Sequence, residues 1–213
     1  MIAIINYGMG NVKSVANAFE ALGEKTLITD DWKKLSESKA IVLPGVGAFS
    51  KGIENLEKLK FIDALNTEVI SGKKPYLGIC LGLQFLAEKS FEHGVHKGFD
   101  WIKGSIKKIE VTEKKFRIPH MGWNNIKITK KEGLFENLED DPAFYFVHSY
   151  YLEPDKISSD VITSTCWHGA TIPASVQKDN IYGVQFHPEK SQATGLMLLK
   201  NFIKIVNKDE KNG

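Results

Sequence analysis

Residues 76–88, YLGICLGLQFLAE, read as a short apolar strand, Tyr76 to Ile79, that passes through a glycine-flanked cysteine into a helical stretch, LGLQFLAE. A strand-to-helix turn of this kind presents its apex residue, Cys80, at the carboxyl edge of a parallel sheet, and small flanking residues let the backbone turn sharply around it. The helix start expected behind Cys80 lowers the thiol pKa and aims the Leu81 N–H at a developing oxyanion. An α/β fold with a nucleophile at the sheet edge is the reading from which the rest follows.

Working outward, the N-terminal half repeats the same unit. Ile2 to Ile5 is a buried strand; a glycine-containing turn, NYGMGN, leads to Val12, Val15, Ala16, Phe19 and Leu22 at helical spacing, and Gly23 stops the helix. Lys25 to Thr29 is a second strand. Asp30 or Asp31 caps a short helix holding Trp32 and Leu35, and Ala40 to Leu43 is a third strand running into PGVG. Phe61 to Ile70 is amphipathic and ends at Gly72. Alternating strands and helices imply parallel βαβ units with helices on both faces. From about Gly104 the style changes to strands at 105–111, 125–129, 144–148, 161–165, 172–177 and 181–186, closed by a helix from Ala193 to about Val206. These predict an antiparallel or mixed extension of the same sheet. One domain over residues 1–206 and a frayed polar tail over 207–213 are expected.

The composition excludes several function classes. At 213 residues, 42% hydrophobic and 25% charged, the chain matches an ordinary globular protein. Lys and Arg number 28 against 26 Asp and Glu, a balance of +2 that argues against a nucleic-acid or anionic-membrane partner. Two cysteines give no disulfide framework. The apolar run Met1–Ile5 is too short for the core of a signal peptide, and no stretch approaches the roughly 18 apolar residues of a membrane span. A cytoplasmic protein is expected. His93 and His96 have HxxH spacing without further ligands, so no metal is expected, and NYGMGN lacks the third glycine of a dinucleotide loop. Cys166, in TSTCWHG, has no elbow and reads as a buried structural thiol.

The second chemical signal is QFHPEKS, residues 185–191, at the end of the last strand. In an extended HxE segment the two side chains leave the same face, so His187 can serve as base beside Cys80 while Glu189 fixes its tautomer. Lys190 then leaves on the opposite side, free to meet an acidic group across an interface. Gln84 lies one helical turn beyond Cys80 and can face the same mouth. PGVG offers freed N–H groups near the sheet edge, and FVHSY, 146–150, offers an extended wall with His148 and Tyr150. Trp123 in PHMGWN is a candidate apolar anchor for a partner.

GICLGLQ together with the late FHPEKS resembles the class I (triad) glutamine amidotransferase family. NYGMGN, LPGVGAF at 43–49, PHMGWN at 119–124 and FVHSY are similar to one branch of that family, the glutaminase subunits of the histidine pathway. There a separate (β/α)8 cyclase uses the ammonia to make imidazole glycerol phosphate and the AICAR by-product. The resemblance implies a flavodoxin-like α/β fold, glutamine as substrate, a heterodimer with the cyclase and no cofactor. It implies Cys80, His187 and Glu189 as the catalytic triad and Val46 with Leu81 as the oxyanion hole. It places Gly47, Gln84, His148, Ser149 and Tyr150 around the substrate, and Asn11, Trp123 and Lys190 at the partner interface. Other outcomes stay open at this point: a paralogous glutaminase feeding a different, sugar-modifying synthase, a catalytically silent regulatory protein, and a stand-alone cysteine hydrolase of related fold.

Overall fold

In a computed structural model of the chain, which describes residues 1–111, 113 and 115–212, the elements run β1 (Ile2–Ile5), α1 (Val12–Glu20), β2 (Thr26–Thr29), β3 (Ala40–Gly45), α2 (Phe49–Lys58), α3 (Phe61–Leu65), β4 (Tyr76–Cys80) and α4 (Leu81–Gln84). They continue with β5 (Ala87–Ser90), β6 (His96–Lys97), β7 (Ile102–Lys108), β8 (His120–Ile128), β9 (Ala143–His148), β10 (Tyr150–Pro154), β11 (Ile162–Trp167), β12 (Thr171–Lys178), β13 (Ile181–Val184) and α5 (Gln192–Asn212). A nine-stranded sheet has the order β2-β1-β3-β4-β13-β12-β11-β8-β9. Its first five strands are parallel and the remainder antiparallel, as the change of style after Gly104 predicts.

The inner parallel strands are apolar without alternation because both faces are covered, whereas the edge strand β2, TLIT, leaves Ile28 exposed. In β1, Ile2 and Ile4 face a core shared with Val15 and Phe19 of α1 and with Leu198 and Phe202 of α5. Ala3 and Ile5 face a second core with Phe49 of α2, Phe61 of α3 and Phe85. Asp31 caps the short 3₁₀ turn Trp32–Leu35 by accepting from the Lys33 N–H, and Asn11 caps α1 through Ser14 N–H. The amphipathic 61–70 stretch is α3 continued by a widened π turn, Asn66–Ser71.

Three expectations need correction. The helix behind Cys80 is one turn long; Phe85, Leu86 and Ala87 are wholly buried, and Ala87 instead enters β5, pairing with Ile102. The strand expected at 105–111 belongs to a second, four-stranded sheet, β10-β7-β5-β6, which packs Ala87, Ile102, Ile106 and Leu152 onto the second core. The final helix runs to Asn212, past the end expected at Val206.

Candidate active site

Three adjacent parallel strands carry the chemistry. β4 ends at Cys80, its neighbour β3 ends at Gly45 directly opposite, and β13 on the other side leads into QFHPEKS. Cys80 adopts φ 54° and ψ −105°, a conformation rare for a residue with a side chain and typical of a strained turn that aims a nucleophile. The turn exists because its flanks are glycine. A Cβ on Gly78 would lie 2.5 Å from the Gly82 carbonyl oxygen, and one on Gly82 would lie 1.8 Å from the carbonyl oxygen of Leu43. The Tyr76 hydroxyl donates to the Gly82 carbonyl at 2.9 Å and ties the turn to its own strand. Since α4 is a single turn, its dipole contributes less at Cys80 than a full helix would.

His187 is 2% exposed and its Nδ1 lies 2.8 Å from Glu189 Oε1. Contrary to the extended HxE segment expected from the sequence, the segment between them is turned. Pro188 opens a 3₁₀ turn, Pro188–Lys190, for which its fixed φ is suited, and the turn brings Glu189 back under the ring. The carboxylate accepts the Nδ1 proton, which leaves Nε2, buried and without a hydrogen-bond partner, as the nitrogen available for chemistry. Burial pulls the His187 pKa down, but interaction with Cys80 and Glu189 overcomes it and holds the value at about 9. Ser191 locks the turn: its hydroxyl donates to the His187 carbonyl at 2.7 Å and accepts from the Tyr145 N–H of β9 at 3.0 Å.

Cys80 opens onto a cleft of about 480 Å³, a size suited to a small metabolite. Val46, Gly47, Leu81, Gln84, His148, Ser149 and Tyr150 all line it, so the structure brings together every residue expected around the substrate. Sequence reasoning missed Glu92, His93, Pro119 and Val147 on the same wall. Glu92 joins the two sheets' ends here, since its carboxylate accepts the Phe49 N–H at the start of α2 at 2.6 Å. Gln84 spends both amide protons internally, on the Tyr150 carbonyl (2.9 Å) and on Gln185 Oε1 (3.2 Å), which leaves its oxygen for a ligand. His148 donates from Nδ1 to the same Tyr150 carbonyl and meets His120 Nδ1 through Nε2 at 3.0 Å. Burial holds His148 down to about 4 and His120 to about 3, so both rings are neutral at physiological pH.

Outside the cleft, Trp123 is 50% exposed and packs edge-on against Tyr145, over whose ring the exposed Lys190 ammonium lies at 5.8 Å. Tyr145 thus unites two of the expected interface residues in one patch. Asn11 is exposed in the turn region after β1, at the same carboxyl edge. Cys166 is 3% exposed, and burial pushes its thiol up to about 12. Among the described residues, no group of three or more His, Cys, Asp or Glu side chains could hold a metal ion, and no helix is long and apolar enough to cross a membrane.

The model of the class I glutamine amidotransferase family matches residues 3–206. The chain is 44% identical over 205 residues to the imidazole glycerol phosphate synthase subunit HisH 1 of Campylobacter jejuni, covering 96% of this chain and 100% of that one. It is 47% identical over 207 residues to the HisH subunit of Methanothermobacter thermautotrophicus, covering 97% and 99%. Among solved structures, one described as a glutamine amidotransferase superposes with a TM-score of 0.75 at 15% identity, covering 97% of this chain and 100% of that chain. A glutamine amidotransferase from Thermotoga maritima superposes at 0.62 with 18% identity, covering 98% and 84%, a likeness of fold. With the family model spanning nearly the whole chain and full-length relatives above 40% identity, the chain belongs to the class I glutamine amidotransferases, in the family of the imidazole glycerol phosphate synthase subunit HisH.

Proposed function

We propose that this chain hydrolyses glutamine to glutamate and ammonia through Cys80, His187 and Glu189, and passes the ammonia to a (β/α)8 cyclase with which it forms a heterodimer. The observation that carries the reading is the Glu189-bound imidazole, with Nε2 buried and unspent, coupled to a cysteine on a strained elbow at the mouth of the cleft. The Cys80 thiolate attacks the carboxamide carbon of glutamine, and the oxyanion is held by backbone N–H groups at Leu81 and Val46. With a value of about 9 the His187 ring is protonated at neutral pH, and it hands its Nε2 proton to the nitrogen as the C–N bond breaks. Ammonia leaves. The ring, now neutral, takes a proton from water, whose oxygen attacks the glutamyl thioester; the C–S bond breaks, glutamate forms, and the Cys80 thiolate beside the protonated ring is restored. Gly47, Gln84, His148, Ser149 and Tyr150 hold the substrate.

Free ammonia in water is protonated and loses its nucleophilicity, which favours a sealed route into a bound acceptor enzyme. In this reading the acceptor is the cyclase that makes imidazole glycerol phosphate and AICAR in histidine biosynthesis, in the cytoplasm. Trp123, Lys190 and Asn11 form part of its docking face. The test is to assay Cys80→Ala in complex with the cyclase. Glutamine-dependent synthesis should vanish while synthesis from added ammonium salt persists; retained glutamine-dependent turnover would assign the covalent step to another group.

A further inference from the structure

We propose that Gln185 is a further catalytic residue of this site: its side-chain amide donates a hydrogen bond to the Cys80 sulfur and favours the thiolate. The inference rests on the reading of Cys80 as nucleophile. Gln185 precedes the HPE turn, is wholly buried, and places Nε2 3.5 Å from Cys80 Sγ. A glutamine amide can present either end to a neighbour, so the orientation must be fixed by its surroundings.

Here a backbone carbonyl fixes it. The Tyr150 oxygen only accepts. Gln84 must therefore turn its nitrogen toward Tyr150, and the second proton on that nitrogen goes to the oxygen of Gln185. With its oxygen committed, Gln185 can show the sulfur only its N–H. The same carbonyl sets the direction of a second arm. His148 donates to it from Nδ1, so His148 Nε2 accepts from His120 Nδ1, and His120 Nε2 accepts from the Asn124 amide. Asn124 spends its other proton on the Trp167 carbonyl at 2.9 Å. Every donor in this chain has one acceptor, and no amide or ring can flip alone without creating a clash of like groups.

Two titratable groups, His187 and the buried Tyr7 hydroxyl, interact with the Cys80 thiol, and beside them the sulfur has two hydrogen-bond neighbours with opposite preferences. The Val147 carbonyl, 3.9 Å away, can only accept and so favours the protonated thiol. Gln185 can only donate and favours the thiolate. Removing the Gln185 donor leaves Val147 unopposed on that side and raises the pH at which the thiol ionises.

The experiment follows alkylation of Cys80 by iodoacetamide against pH, read by mass spectrometry of the Cys80 peptide, in wild type, Gln185→Met and Gln185→Glu. Far-UV circular dichroism checks folding. Alkylation reports the thiol directly and does not require that glutamine be the substrate, so failure here and failure of the glutaminase reading are distinguishable. Gln185→Met keeps the length of the side chain without a donor; the expected result is a midpoint about one pH unit higher, hence about tenfold slower alkylation at pH values below both midpoints, with the high-pH plateau unchanged. Gln185→Glu keeps the acceptor for Gln84 and should move the midpoint further, since a carboxylate then faces the sulfur. It also carries the test if the methionine variant does not fold. An unchanged midpoint in a folded variant overturns the proposal, as does a rate lowered equally at all pH values, which is the signature of altered packing alone.

Discussion

Gly82→Ala should be the most damaging single-methyl change near the site. The added Cβ would lie 1.8 Å from the Leu43 carbonyl oxygen and 2.9 Å from the Leu43 carbonyl carbon, both backbone atoms of a central strand with no side chain to swing aside. Ordinary contact begins near 3.4 Å, so the turn and β3 must separate by about 1.6 Å. Overpacking of this kind costs about 3 kcal/mol or more, which for a chain of this size lowers the melting temperature by roughly 6–12 °C. The displaced strand runs directly into Val46, so the thiol and one wall of the proposed oxyanion hole move apart; misplacement by about 1 Å costs on the order of 10² in rate. Gly23→Ala separates sterics from backbone strain. Its φ is +82° and nothing lies within 4 Å of the new methyl, so only the left-handed conformation is penalised, by about 1 kcal/mol. Thermal unfolding by circular dichroism and glutaminase turnover of the two variants decide the matter. A Gly82→Ala protein that melts no lower than Gly23→Ala and turns over normally would refute the claim that close packing of the elbow on β3 builds the site.

Further expectations concern the groups around the thiol and the outer face. Cys166→Ser should leave glutamine hydrolysis within about twofold of wild type, because that thiol is buried away from the cleft, whereas Cys80→Ser should remove it. Glu189→Gln removes the anion beside His187 and should lower the ring's value from about 9, measurable by NMR titration of the imidazole; an unchanged value would make Glu189 a spectator. Because the folded value lies above the unfolded 6.5, His187 contributes stability that is complete below pH 6.5 and is lost as pH rises through about 9. Wild type should therefore lose more stability than Glu189→Gln across that window in denaturant titrations. The glycines flanking Val46 let its peptide unit reorient, so the free chain should hydrolyse glutamine slowly and respond to cyclase with its ligand, one oxyanion donor being worth about 10²–10³ in rate. Trp123→Ala and Lys190→Ala should weaken that response while leaving the melting temperature nearly unchanged. Wild-type stimulation of both variants would place the docking face elsewhere.

The parallel half of the fold is legible where a strand is an apolar run ending at a glycine or turn, as in β1, β3 and β4, and where a helix keeps a 3.6-residue period, as in α1; α2, Phe49–Lys58, with few apolar residues, is not among the expected elements. The stretch after Cys80 is not. Phe85, Leu86 and Ala87 are apolar on every side, so periodicity cannot separate a helix from a buried strand, and a tertiary partner decides: Ala87 pairs with Ile102. The second sheet is hidden for a related reason, since β5 is AEKS, without alternation, β6 is only the pair His96–Lys97, and the remaining strand, β10, reaches β7 from far along the chain. At the site, the residue types of the elbow and of HPE point to the triad, and the structure reaches the His187–Glu189 contact by a different backbone path, a proline-started turn in place of a strand. Gln185 is legible only in hindsight: an amide at the end of an apolar strand, with no spacing rule to connect it with a cysteine 105 positions earlier.

The strand order has a consequence for how the chain is made. β13 is the last strand in sequence, yet it inserts between β4 and β12 in the middle of the large sheet. A nascent chain shorter than about Val184 has a nucleophile strand with one unpaired edge and an antiparallel wing with no bridge to it. Such an edge is a template for pairing with other chains, and closing so distant a contact is a slow step in folding. Fragments released early are accordingly the species most prone to aggregate. They also lack His187, so a thiol exposed on a half-built sheet has no base beside it, and assembly of the reactive centre waits for completion of the fold.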